Sequence, residues 1–331
     1  MKVMQAPIEI AGQMGILSKG LQPHGVSSVA YNYFHTYLDY REHRFNVDGY
    51  ELERMLPDAV RYFDLFHFHY GYTLTPNFRD LKEIKKLGKK MLMHHWGNDV
   101  RTHAIASLSN PYVYTGDSPS PEQIDQRLKQ LTQSIDHAIV QDYEVYPYLV
   151  PYYKHIHILP LAFPVRDTIP VYPSLGEENP LIIHAPTQPR FKGTEYIENA
   201  LQRLKEKGLS FRYKRIEGMS NRDALKAYQE ADLVVDQILC GSYGLFAVEG
   251  MSLGKPVVGY IREDLALTYP EMPPIVSANP TTIAQVLEEL IKSPSLRREA
   301  GVKGRIYAEK HHEVDRVVPR LLAIYKQVME E

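Results

Sequence analysis

Gly241-Ser-Tyr-Gly-Leu-Phe-Ala-Val-Glu249-Gly-Met-Ser-Leu-Gly-Lys-Pro-Val-Val-Gly259 is the stretch on which the fold turns. It follows an apolar run, Ala231-Asp-Leu-Val-Val-Asp-Gln-Ile238, that reads as a strand, and it runs into a second, Lys255-Pro-Val-Val-Gly-Tyr260. Between them, Leu245 to Leu253 combines good helix formers with apolar residues at helical spacing. The order is strand, glycine loop, helix, strand. Such a loop is a ready anion site, because glycines allow close backbone approach and the helix N-terminus presents free N–H groups. Glu249 falls about one turn into that helix. From there a carboxylate can accept hydrogen bonds from a sugar or ribose diol.

The same rhythm runs through the chain. Residues 1–13 read as a strand leading into a helix after Gly12, and Gly25 to Ala30 as turn and strand. Asp64–His69 and Lys90–His94 read as strands around a helix from Phe78 to Leu87, and both end in histidine pairs. Gln123–Ser134 reads as a helix, with Asp136–Val140 and Ile156–Ala162 as strands. Ser107–Pro121, rich in Ser, Pro, Asn and Gly, reads as a mobile loop. The proline-bearing span Pro164–Pro180 reads as a linker. The rhythm then restarts: strand Leu181–Ala185, loop, helix Thr194–Lys207 with Thr194 as its N-cap, strand Phe211–Ile216, helix Asn221–Glu230. Helices follow over Thr282–Lys292, Ser295–His311 and Val314–Glu331. This is an α/β chain of two doubly wound parallel-sheet domains. In such sheets ligands bind beyond the C-terminal strand ends.

Bulk properties narrow the function. A length of 331 residues suits two domains. A net charge of −2 gives no nucleic-acid footprint. The single cysteine, Cys240, excludes an internal disulfide framework and fits a reducing cytoplasm. The N-terminus lacks the apolar core of a signal peptide, and no run approaches the ~20 apolar residues of a transmembrane segment. Peripheral membrane association stays open. His311-His312 has no partner ligands spaced around it and reads as a helix-end surface pair rather than a metal site.

The 241–259 stretch resembles the donor signature of retaining family-4-type glycosyltransferases, which have the two-domain glycosyltransferase-B (GT-B) fold. Their pattern is Glu, seven residues, Glu, then a small-residue turn and Gly-x-Pro-Val. Glu249 matches the second glutamate and Gly254-Lys-Pro-Val257 the tail; Gly241 stands where the first glutamate would be. The resemblance implies two Rossmann-like domains facing a cleft: an acceptor-side domain over 1–164, a donor-side domain over 165–312, and a C-terminal helix over 313–331 that packs back on the first. It implies that Glu249 binds the nucleotide ribose and that the loop His184–Thr194 meets the donor diphosphate. Lys192 with Gly193 matches the family's Lys-Gly pair. The family arginine falls on Thr187, with Arg190 as its substitute. The backbone amides of Tyr243, Gly244 and Leu245 complete the anion set, Ile216 lies beside the base, and Gly12 faces the donor unless it merely opens its helix. Asp236-Gln237 reads as shaping the pocket or capping a strand.

His95-Trp-Gly-Asn-Asp-Val-Arg101 resembles the family's His-Gly-Ser-Asp-Val-Arg run. That similarity makes His95, then His94, the sugar-side histidine. Asp99 and Arg101 pair with each other or hold this loop, or Asp99 faces an acceptor hydroxyl. The implied activity is transfer of a sugar from a nucleotide-diphosphate donor, metal-independent and without a cofactor, to a saccharide, lipid-linked or small-molecule acceptor. No Asp-x-Asp metal signature occurs in the sequence. A nucleotide-sugar epimerase of the same fold and a non-catalytic sugar- or partner-binding protein are the alternatives.

Overall fold

The computed structural model describes residues 1–40 and 42–331. It divides into two units, one of Met1–Thr102, Ser118–Ala162 and Val314–Glu331, the other of His103–Asp117 and Phe163–Glu313.

The first unit is built on a wholly parallel seven-stranded sheet, order β3-β2-β1-β4-β5-β6-β7. The strands are β1 (Lys2–Ala6), β2 (Ser27–Asn32), β3 (Arg44–Asn46), β4 (Leu65–His69), β5 (Lys90–His94), β6 (His137–Val140) and β7 (His155–Ile158). Every residue of β4 is buried, as expected for a central strand covered by helices on both faces. The last helix, Val314–Glu330, belongs to this unit. Its Val317, Val318, Leu321, Ile324, Tyr325 and Val328 share one core with Val3, Leu17, Leu21, Leu65 and Leu92. It lies close on helix Gln13–Leu21 because Gly20 has no side chain. A Cβ there would come within 2.6 Å of both Val314 and Val318.

The second unit carries a parallel five-stranded sheet, order β12-β11-β10-β8-β9. Its strands are β8 (Leu181–His184), β9 (Arg212–Arg215), β10 (Leu233–Val235), β11 (Val257–Gly259) and β12 (Val276–Ser277). The strand order reverses between β8 and β10, the position where doubly wound sheets open a crevice for ligands. Helices Thr194–Glu206 and Ile283–Lys292 close its core over Ile182, Leu233 and Val258.

Three expectations change. The 107–121 segment is not a mobile loop over its first part. Asn110 is buried and donates to the carbonyls of Leu239 and Cys240 at 2.7 and 2.9 Å, and the Tyr112 ring meets Tyr260 edge-on. Thr194 is not an N-cap. Gly193 takes that place in the left-handed region, and the Thr194 hydroxyl turns inward to His184. The 164–180 span lies along the second unit, its Val171 amide donating to Leu253 O and Pro173 O accepting from Arg298. Helix Gly49–Tyr62 and strands β3 and β12 had no assignment from sequence. Among the described residues no helix is long and apolar enough to cross a membrane.

Candidate functional site

The loop after β8 and the loop after β10 meet at the switch point of the second sheet. His184 ends β8 fully buried. Its Nδ1 donates to Val235 O and its Nε2 accepts from Thr194, both at 2.8 Å. Burial holds this imidazole down at about 4, so it stays neutral and works as a strut between β8, β10 and the following helix. One helical turn, Pro189–Lys192, leads to Gly193 at φ +80°. A Cβ at Gly193 would press to 2.7 Å from Ile238. The glycine therefore brings Lys192 against the end of β10.

There the Lys192 ammonium donates to Asp236 Oδ1 and Gln237 Oε1, each at 2.8 Å. The second oxygen of Asp236 accepts from the Gly244 amide at 2.9 Å, at the mouth of helix Leu245–Ser252. The lysine and the helix-opening amide thus converge on one carboxylate. The anion lying between them is the buried carboxylate of Asp236, whose sequence position suggests only pocket-shaping or capping. An ammonium carries three N–H donors, and these bonds use two.

Glu249 projects from the same helix, buried, and accepts from Asn221 Nδ2 at 2.8 Å. Burial raises its carboxyl to about 7; the Asn221 bond opposes this, the Asp236 charge adds to it, and Lys192 offsets it. The folded state therefore holds this proton more tightly than the unfolded chain does, and stability falls as pH rises from the ordinary carboxyl value through 7. We expect wild-type protein to lose about 2–3 kcal/mol relative to Glu249→Gln between pH 5 and pH 8. Urea unfolding of both proteins at the two pH values measures it.

The other residues expected on the donor side divide. Ile216 is buried after β9, its amide donating to His184 O at 2.9 Å, beside the end of β8. Tyr243 is buried and fixes its loop to helix Pro294–His311 through His312 Nε2 at 3.0 Å and the Tyr307 hydroxyl at 3.4 Å. Leu245 is the first residue of its helix. Arg190 is exposed and turned to Tyr114 and Asp117 of the 103–117 segment, whose hydroxyl and charge hold its guanidinium above its usual value. Gly241 has φ +86°, and a Cβ would fall 2.4 Å from Arg262 Cγ. The His311-His312 pair is not a surface pair: His312 is buried on Tyr243, and His311 is mostly covered beside Glu271.

In the first unit Gly12 opens helix Gln13–Leu21 at φ +74°, with Tyr40 packed where a side chain would stand. The amides of Met14 and Gly15 donate to the buried Glu9 carboxylate at 3.0 and 3.1 Å. Burial lifts Glu9 to about 7, against those two bonds and the Arg44 charge. Nothing in the sequence pattern marked Glu9.

His95 is fully buried. Its Nδ1 donates to Asp99 at 2.6 Å and its Nε2 accepts from Tyr153 at 2.9 Å, so neither nitrogen is open to a ligand in this arrangement. Asp99 also accepts from the Trp96 and Gly97 amides. It does not pair with Arg101, which makes a bidentate bond to buried Glu144 at 2.9 and 2.6 Å. His94 stacks on Trp96 at 4.0 Å, with His67 and His69 in parallel behind it. Desolvation keeps these three imidazoles neutral.

No family model and no curated protein matches the sequence. Solved structures do match. Sucrose-phosphate synthase from Thermosynechococcus elongatus aligns at TM-score 0.66 and 14% identity over 100% of both chains. A glycosyltransferase from Rickettsia africae ESF-5 aligns at 0.68 and 13%, over 100% of this chain and 99% of that one. Anabaena HepE, in complex with UDP and glucose, aligns at 0.68 and 11%, over 99% and 100%. The chain has the GT-B fold. At such identities the likeness is one of backbone path. In GT-B terms, the β8–β10 switch with Lys192, Asp236, Gly244 and Glu249 lies in the second Rossmann-like unit, and the last helix returns to the first.

Proposed function

We propose that the protein is a nucleotide-sugar glycosyltransferase whose second unit binds the donor. The observation that carries this reading is the convergence of the Lys192 ammonium and the Gly244 amide on one anion position, one helical turn from the buried Glu249. Cleavage of a sugar–diphosphate bond places negative charge on the leaving group. A preorganised cation and N–H dipole stabilise that charge, and loss of one such contact costs about 10²–10³ in rate by analogy with oxyanion donors. Donor phosphate would take over the third Lys192 donor and draw the ammonium from Asp236. Glu249 would accept the ribose hydroxyls, beside Ile216 at the base. Independence of a metal is what the resemblance implies. Retention at the anomeric carbon follows from the resemblance alone, and a cytoplasmic place of action from the single cysteine. The acceptor is read on the first unit, where His95 acts through Asp99 and Tyr153 to hold the 95–101 loop.

A non-catalytic sugar-nucleotide binder is the second reading, favoured by Gly241 and by the internal carboxylate already held by Lys192. Calorimetry with UDP, GDP and ADP tests both: one nucleotide should bind in the micromolar range, and absence of heat with all three ends them together. Turnover of the matching sugar nucleotide with any acceptor removes the second. Conversion of UDP-N-acetylglucosamine alone to its epimer, followed by NMR, would replace the first with an epimerase.

A further inference from the structure

We propose a transition-metal site on the first unit, outside the residues discussed above, formed by His137, His155 and Glu331 with His157 behind them. His137 opens β6 and His155 opens β7, and the two are paired in register. They therefore stand at the starting edge of the sheet, opposite the strand ends that lead into the glycine and histidine loops. Residues paired across neighbouring strands face the same side, and His157, two positions on, shares it. Glu331 arrives at this edge off the end of helix Val314–Glu330. Its two oxygens are divided between the rings, Oε2 at 2.9 Å from His137 Nε2 and Oε1 at 3.3 Å from His155 Nε2. One ligand atom from each of the three residues lies within 4.8 Å of the other two.

The hydrogen bonds here resemble those of a metal site with protons in place of the ion. His137 Nε2 donates to the carboxylate, His155 Nε2 stands within ion-pair range of its other oxygen, and His137 Nδ1 accepts from His157 Nε2 at 3.0 Å. A divalent ion needs neutral imidazole nitrogens and an ionised carboxylate. His137 and His155 reach that state by shifting the ring proton from Nε2 to Nδ1, with no change in charge. His137 Nδ1 then donates to His157 Nε2, whose own proton moves to Nδ1. That is the outer hydrogen bond that orients a ligating imidazole. Two nitrogens and a carboxylate oxygen suit zinc and its neighbours, with a water completing a tetrahedron. The His155 and Glu331 side chains are 38% and 44% exposed, whereas that of His137 is 4%, so the ion has an entry side and a closed side. A second trio, His67, His69 and His94, also brings its nitrogens close together. It is sealed and has no carboxylate to offset an ion's charge, and burying uncompensated charge is costly. Occupancy of the exposed site would fasten the end of the last helix to β6 and β7.

The test uses the full chain without affinity histidines, stripped with chelator and titrated with Co²⁺ and then Zn²⁺. One Co²⁺ per chain should bind with the visible absorption of a tetrahedral centre and be displaced by Zn²⁺. His155→Gln, at the exposed side and checked for native circular dichroism, should take up none at the same concentrations. His157→Leu should bind about 10–100-fold more weakly. No uptake by the wild type, or equal uptake by the wild type and His155→Gln, overturns the site.

Discussion

Lys192→Ala should weaken nucleoside-diphosphate binding at least 100-fold while leaving affinity for the bare nucleoside nearly unchanged. In the proposed site the ammonium meets only the phosphate end, whereas ribose and base rest on Glu249 and Ile216. The same substitution should also cost stability. It removes the charged partner of Asp236, whose side chain is fully buried while that of Lys192 is 12% exposed. Breaking such a pair from one side costs about 3–5 kcal/mol, because the remaining charge keeps its desolvation penalty without its counter-ion. Lys192→Met combined with Asp236→Asn separates the two effects. The asparagine oxygen can still accept from Gly244 N, and no buried charge is left alone, so most of the stability should return while diphosphate affinity does not. Calorimetry with diphosphate and nucleoside, beside urea unfolding of each variant, reads both. A folded Lys192→Ala with unchanged diphosphate affinity would remove the central residue of the proposal.

What the sequence could disclose follows from the range of the interactions involved. Strand β5 (Lys90–His94) matches its expected span residue for residue, and the helix after Gly12 and the helix from Leu245 lie where local pattern placed them. Burial period and glycine position are written within a few residues. Lys192 and Gly244 were legible because each follows a buried strand in a loop of recognisable composition. Asp236 was visible only as a strand end. Its role depends on a partner 44 positions away, and no local pattern reports that. Glu9 eluded the reading for the opposite reason. It sits only five and six residues from the amides it caps, but an acid before a glycine loop looks like any solvated surface charge. Arg101 and Glu144 show the same limit. Asp99 was the nearer acid, yet the guanidinium found a bidentate carboxylate across the sheet. Helix Gly49–Tyr62 does carry a local signal, since Asp48 and Glu51 form a full capping box at its start.

Gly241→Glu, which would place at this position the glutamate of the signature the stretch resembles, should lower stability by about 2–5 kcal/mol and raise no activity. The backbone at φ +86° is left-handed, which costs a residue with a Cβ about 1–2 kcal/mol. The Cβ would then lie 2.4 and 2.7 Å from Arg262 Cγ and Cδ. That stem cannot swing aside cheaply. The Arg262 amide donates to Gly241 O at 3.0 Å, and its guanidinium is held bidentate by Asp264 at 2.9 and 2.7 Å. Gly241→Ala should therefore carry most of the loss by itself, since strain and clash both begin at Cβ. Adding Arg262→Ala to Gly241→Glu should recover the clash but not the left-handed cost. Thermal unfolding of these three variants apportions the terms. Sugar-nucleotide turnover by Gly241→Glu decides the functional half: an increase at undiminished stability would mean that the loop can adopt the signature's geometry and that Arg262 does not exclude the glutamate. With Arg262 in place, an arginine stem occupies the position where the signature has a carboxylate. On the proposed reading, contacts to a transferred sugar would come from elsewhere.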